Sequence, residues 1–245
     1  MRHDRAAEPT EFPDARLAPG DAPLAFGGAI TPSTLAAAYR RGIFPWPVEG
    51  TTTWWSPDPR GVLPLEALRV SRSLRRTLRR AGWRCTTDTA TAAVIAECAS
   101  GRPEGTWITP EMAEAYDALR HSPVGRTAVH SVEVWDTEGG LVGGLYGVAV
   151  GAVFSGESMF HRATDASKVA LVDLVRRLGE RGFELIDVQL PTRHLASLGA
   201  RTVRRSAFLA EIERLRDVAT GWPLEAWEPA TDHEAVRGLR GRTTR

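Results

Sequence analysis

From Ser71 onward, apolar residues fall at two spacings, three to four apart and two apart, and segments of the two kinds follow one another. Ser71 can cap a helix that runs through Arg80 and ends at Gly82. Residues 83–87 read as a short strand, and residues 89–100 as a helix with Val94 and Ile95 inward. In TWITPEM, Thr109 is an N-cap, Pro110 occupies the first turn and Glu111 sits at the positive end of the dipole, which starts a helix reaching Arg120. Three strand-like runs follow at 129–135, 141–151 and 152–156, the first two joined by the turn DTEGG. A long helix over 165–181 carries the apolar stripe Leu171, Leu174, Val175 and Leu178. A strand over 183–190 and a helix over 206–217 complete the pattern. This order predicts an α+β fold with helices packed on a mixed sheet.

The chain before Ser71 has another texture. Residues 27–64 are rich in Gly, Pro and Trp and hold one short helix, capped by Thr31 or Ser33, with its body at Leu35–Arg40. Prolines at 45, 47, 57 and 59 argue against regular helix or central strand. The expected organisation is a loose extension at 1–23, a small N-terminal domain at 24–67, a larger catalytic domain at 68–227 and a flexible tail at 228–245.

Composition narrows the class. No run approaches the roughly 20 apolar residues of a membrane span, and the first residues lack the apolar core of a secretory signal. Cys85 and Cys98 have no metal-ligand spacing, which fits a reducing cytoplasm. The net charge of +1 means that a polyanionic partner needs a local basic patch. The sequence contains no P-loop, no G-x-S-x-G elbow and no H-x-x-x-H pair. His161 and His194 are isolated and read as structural or surface residues.

Four groupings carry candidate chemistry. Glu157, in GESMF at 156–160, stands at the end of the strand holding Phe154, next to Met159 and Phe160. It reads either as a ligand-binding carboxylate or as a loop residue, exposed or paired with Arg162. Asp187 and Gln189, in LIDVQL, lie on one face of a strand, as a functional pair or as a structural pair at a sheet end. Arg72, Arg75, Arg76, Arg79, Arg80 and Arg84 fall within 13 residues, where about 1.6 are expected by chance. No acid lies between Glu66 and Asp88, so an anionic partner is favoured over a merely solvated face. Finally, Phe44, Trp46, Trp54, Trp55 and Trp107 suit core packing or the wall of a cleft for an apolar ligand or a stacked base.

Together these segments resemble the leucyl/phenylalanyl-tRNA–protein transferase family. The matching text is GIFPWP, WWSPDPR, SRSLRR, TWIT, HSVEVW, LVGGLYGVA, FSGESMF, ASKVAL, GFELIDVQ and HLASLGA, spread over roughly residues 24–210. LVGGLYG, GESMF and HLASLGA in that order make the likeness specific. The resemblance implies a small N-terminal domain and a C-terminal GNAT-like (acyl-CoA N-acyltransferase-type) domain. Ser155–Asp165 lacks a pyrophosphate-binding Q/R-x-x-G-x-G/A loop, in keeping with an aminoacyl-tRNA donor.

The implied reaction moves Leu or Phe, less often Met, from tRNA to the N-terminal Arg or Lys of an acceptor protein and thereby creates an N-degron. No metal or other cofactor is implied, since the ester is already activated; the implied state is a cytoplasmic monomer. By the same resemblance, Glu157 recognises the acceptor cation, and Asp187 and Gln189 are the catalytic pair. Gln189 orients the amine, because an amide lacks basicity; Asp187 stabilises the ammonium or takes its proton through water. Trp54 or Trp55, Trp107, Phe154, Met159 and Ile186 form the aminoacyl pocket, and the six arginines hold the tRNA acceptor stem. Ala29, where the family often has Asp, and Val188, where it often has Cys, depart from the pattern. Two rival readings are a Fem-type aminoacyltransferase acting on cell-wall precursors and a non-catalytic tRNA-binding protein.

Overall fold

The computed structural model describes residues 11–100 and 106–232. The outer parts of the two expected loose ends, 1–10 and 233–245, lie outside the described residues. Numbered in chain order, the first elements are β1 (Ala25–Phe26), α1 (Pro32–Tyr39), β2 (Phe44–Pro45), β3 (Thr53–Trp55) and β4 (Arg60–Pro64). Then come α2 (Arg72–Arg80), β5 (Arg84–Thr87), α3 (Thr91–Ser100), α4 (Pro110–His121), β6 (Thr127–Trp135), β7 (Leu141–Val150) and β8 (Val153–His161). The chain continues with α5 (Ala166–Glu180), β9 (Leu185–Gln189), α6 (Arg193–Ser197), β10 (Arg201–Val203) and α7 (Arg205–Leu215).

Local chemistry sets the helix starts. Thr31, Ser71 and Thr109 each accept a hydrogen bond from the backbone N–H three residues on, and Pro32 and Pro110 fill the first turns, where no N–H is needed. Seven strands form one sheet in the order β10-β4-β9-β8-β7-β6-β5, antiparallel except for the β8–β9 pair. Alternation along the strands divides the core. Val132, Val134, Leu145 and Phe154 pack with α2 and α5, while Val129, Tyr146, Val148 and Phe160 pack with α1, α3 and α4. The mixed α+β architecture matches the sequence pattern. Among the described residues, no helix is long and apolar enough to cross a membrane.

Four local expectations need correction. Proline did not prevent pairing in 44–55, where β3 is the middle strand of a small sheet ordered β1-β3-β2. Pro45 has no N–H, but Trp46 supplies a donor to the Thr53 carbonyl at 2.8 Å. Downstream, β4 lies between β10 and β9 in the large sheet, although its residues fall inside the 24–67 segment.

Residues 11–23 are not loose. Phe12, Ala15 and Ala18 are buried, and the Phe12 ring meets the Trp54 ring edge-on at 4.8 Å. The Arg205 guanidinium ties this stretch down by donating to the carbonyls of Arg16, Pro19 and Ser56.

Strand β8 does not end at 156. It runs to His161 with one surplus residue: Gly147 pairs with Gly156, but Tyr146 pairs with Ser158, so Glu157 has no partner on β7. Gly147 permits this. A Cβ there would lie 2.2 Å from the Ser155 carbonyl oxygen.

Candidate active site

β8 and β9 run parallel for three residue pairs, Val153–Leu185, Phe154–Ile186 and Ser155–Asp187. Beyond the last pair there is no further pairing, and the residues that follow on both strands line a cavity of about 300 Å³. Its wall is mostly apolar: Leu145, Phe154, Met159, Leu171, Leu174 and Ile186 contribute side chains. Phe154 and Met159 both pack with the α5-side core although they are five residues apart, because the surplus residue shifts the alternation. Trp46 and Trp107 also line the cavity and stack on each other, with centroids 5.0 Å apart and planes at 17°. The polar part of the lining includes Glu157, Gln189, Thr192 and His194.

Four of the six expected pocket residues, Trp107, Phe154, Met159 and Ile186, line this space. Trp54 and Trp55 do not. Trp54 is buried against Phe12 and donates its indole N–H to the Gly27 carbonyl, while Trp55 donates to the Thr53 hydroxyl. Adjacent strand residues point to opposite sides, and neither side of β3 faces the cavity. Trp46 lines it instead, beside Trp107.

Glu157 lines the cavity from within the sheet. Its Oε2 accepts the Tyr116 hydroxyl at 2.9 Å, and the Tyr116 and Tyr39 hydroxyls are 2.8 Å apart. Oε1 is buried and has no hydrogen-bond partner among the described residues. Arg162, the alternative partner, is held by Glu97. Burial raises the Glu157 pKa to about 7; the Tyr39 and Tyr116 hydroxyls pull it down, the Asp187 charge pushes it up, and Arg60 lowers it. Burial, reinforced by the Glu157 charge, also pushes both tyrosines well above their ordinary value.

Asp187 does not face the cavity. Its carboxylate is buried and takes a two-pronged contact from Arg60, Nε to Oδ1 at 2.8 Å and Nη2 to Oδ2 at 2.7 Å. The Ser155 hydroxyl donates to Oδ2 at 3.2 Å, and the Gln189 backbone N–H donates to Oδ1 at 3.0 Å. Gln189 ends β9 with φ +54°, a left-handed conformation costly for a residue with a Cβ, and the Asp187 side chain stabilises that turn. Strand alternation placed Asp187 and Gln189 on one face; the turn at Gln189 separates them, leaving Gln189 in the cavity wall and Asp187 behind it.

Sequence reasoning missed Arg60, Tyr39 and Tyr116. The clue for Arg60 was an unpaired Asp in an apolar strand, which demands a cation somewhere. His194, set aside as isolated, is an exposed residue of the cavity lining.

On α2, Arg72, Arg76, Arg79 and Arg80 are exposed, as is Arg84 at the start of β5, while Leu74 and Leu78 are buried. None of these arginines has a carboxylate partner among the described residues. Arg75 differs: it is half-buried and donates Nε and Nη2 to the Val70 carbonyl at 3.1 and 2.6 Å.

Comparison with known proteins places the chain in a family. Residues 62–213 match the family model described as leucyl/phenylalanyl-tRNA protein transferase, and residues 28–58 match the model of that family's N-terminal domain. The leucyl/phenylalanyl-tRNA–protein transferase of Stutzerimonas stutzeri (strain A1501) is 57% identical over 188 residues, covering 76% of this chain and 81% of that one. Its counterpart from Methylococcus capsulatus (strain ATCC 33009 / NCIMB 11132 / Bath) is 51% identical over 221 residues, 89% of this chain and 91% of that one. The counterpart from Syntrophobacter fumaroxidans (strain DSM 10017 / MPOB) is 50% identical over 229 residues, 91% and 94%. A solved structure, L-PGS from Bacillus licheniformis, aligns at TM-score 0.37 and 13% identity over 82% of this chain and 68% of that one, too weak a likeness to assign a fold. With both family models matched in order and half of the residues shared with full-length relatives, the chain belongs to the leucyl/phenylalanyl-tRNA–protein transferase family and is an aminoacyltransferase.

Proposed function

We propose that this enzyme transfers leucine or phenylalanine, and less often methionine, from aminoacyl-tRNA to the N-terminal Arg or Lys of an acceptor protein. The product carries a bulky apolar N-terminus and serves as an N-degron. One observation carries this reading: Glu157, with an oxygen lacking any hydrogen-bond partner among the described residues, stands in the wall of a mostly apolar cavity. A permanent cation from the acceptor's first side chain supplies the missing partner. A muropeptide acceptor does not call for such a carboxylate, which disfavours the Fem-type alternative.

The apolar lining takes the donor side chain. Met159 and the surrounding rings and leucines tolerate both a branched and a flat residue. The acceptor ammonium first loses a proton to solvent. Its nitrogen then attacks the ester carbonyl; the C–N bond forms, the C–O bond to the ribose breaks, and the amine's second proton ends on the ribose hydroxyl. Gln189 orients the amine from the cavity wall, and Asp187 acts on Gln189 from behind. The exposed arginines of α2, with Arg84, hold the phosphates of the tRNA acceptor stem. The parallel pair β8–β9, whose pairing ends at the cavity, supports the reading of a GNAT-like catalytic domain following a small N-terminal one; the enzyme is taken to work as a monomer in the cytoplasm.

The deciding assay offers labelled leucyl-tRNA to peptides that differ only in their first residue. Transfer to Arg and Lys peptides, little to a Ser peptide, and loss of that preference in Glu157→Gln is the expected result. Equal transfer to all three by the wild type overturns the acceptor assignment.

A further inference from the structure

Arg60 is buried together with its partner, each side chain having only 1% of its surface exposed. A guanidinium in that position needs a partner at each of its three nitrogens. Nε and Nη2 grip Asp187, and Nη1 donates to the Gly42 carbonyl at 3.1 Å. Its faces are covered by Phe44 and Phe208, whose ring centroids lie 4.9 and 4.4 Å away. Each contact leads somewhere. Gly42 and Phe44 belong to the segment between α1 and β3, and Phe44 itself lines the cavity. Asp187 receives the Gln189 backbone N–H and so holds the left-handed turn at Gln189, another lining residue.

We propose that Arg60 is a positioning residue for the transfer step: its planar fork locks Asp187, and through it the Gln189 turn, in register with the Gly42–Phe44 segment, whose Phe44 lines the cavity. Asp187 then serves as the anchor of that lock and not as the proton acceptor. Four donors already occupy its two oxygens: Arg60 Nε and Nη2, the Ser155 hydroxyl and the Gln189 amide. A lysine cannot replace the fork, because one ammonium cannot match two carboxylate oxygens and a carbonyl with the same planar geometry.

This inference rests on the transfer reading, so wild-type transfer of leucine from leucyl-tRNA to an Arg-starting peptide is measured first. Its absence defeats that reading and not the role of Arg60. Two variants then separate positioning from mere folding. Arg60→Lys keeps the charge; in folded protein, kcat is expected to fall at least about tenfold while leucyl-tRNA affinity stays within about twofold of wild type. The double variant Arg60→Met/Asp187→Leu replaces the pair with apolar groups and is expected to regain thermal stability, since such exchanges are often neutral. Its kcat should nevertheless remain about 100-fold down, because the Gln189 amide has lost its acceptor. Full turnover from folded Arg60→Lys, or turnover that returns with stability in the double variant, overturns the proposal. Should the double variant not fold, Arg60→Lys alone decides.

Discussion

Tyr116 donates its hydroxyl to Glu157 at 2.9 Å, and the other carboxylate oxygen has no hydrogen-bond partner among the described residues. Burial raises the pKa of Glu157 to about 7, against the downward pull of the Tyr39 and Tyr116 hydroxyls. Two predictions follow from it and two more from the cavity and the basic helix.

Acceptor use should depend on pH through Glu157. The carboxylate pairs with a cation only when ionised, so kcat/KM for an Arg-starting peptide falls below pH 7. The acceptor amine titrates as well, but equally for wild type and Glu157→Gln. The ratio of wild-type to variant kcat/KM is therefore expected to drop about tenfold from pH 8 to pH 6. A ratio that does not change with pH would remove Glu157 from acceptor recognition.

Stability should show the same group with the opposite sense to most carboxylates. A folded-state pKa raised from 4.5 to about 7 means that the native protein holds its proton longer than the unfolded chain. The resulting contribution is fully present below pH 4.5 and is lost as pH rises through about 7. Over that window wild type should lose about 3–4 kcal/mol relative to Glu157→Gln, at about 1.4 kcal/mol per unit. Denaturant midpoints of both proteins from pH 4.5 to pH 8 test this, and parallel curves would contradict it.

Met159 should tune donor choice. It is half-buried in the cavity lining, so shortening it enlarges the space with little harm to the core. Met159→Ala is expected to lower kcat/KM for leucyl-tRNA about tenfold, with a smaller loss for phenylalanyl-tRNA, whose ring fills the gap. Equal losses for both donors would mean that Met159 does not touch the donor side chain.

The basic helix offers an internal control. Arg76 and Arg79 are exposed without a carboxylate partner among the described residues, whereas Arg75 is occupied by the Val70 carbonyl. Arg76→Glu and Arg79→Glu should each weaken tRNA binding and reduce its salt slope by about one. Arg75→Met should leave the slope unchanged. A slope that responds to Arg75 as strongly as to Arg76 would reassign the face that meets the tRNA.

Local signals read well in this chain. Thr31, Ser71 and Thr109 cap helices as their side chains and the neighbouring prolines indicate, because capping involves only residues three apart. The motifs also pointed to Glu157, Gln189 and four wall residues. What stayed hidden depends on distance along the chain or on parity. Arg60 meets Asp187 across 127 positions, and no local pattern encodes that contact. Trp46 and Trp54 have equal claims by composition, and only the packing of Phe12 decides which is core. The tail end of the N-terminal extension looked loose because its few apolar residues have no period; Arg205 holds it by carbonyls, which every sequence possesses.

The surplus residue in β8 has an effect beyond its own carboxylate. Removing Glu157 outright, in place of substituting it, would restore an unbroken ladder and shift the strand on one side of the lesion by one step. The thioether now facing α5 would turn toward Tyr146's side, and the Phe160 ring would turn the other way. A single codon thus acts here as a hinge of handedness: with it the strand presents grease and charge to one hollow, and without it the same letters spell an ordinary wall.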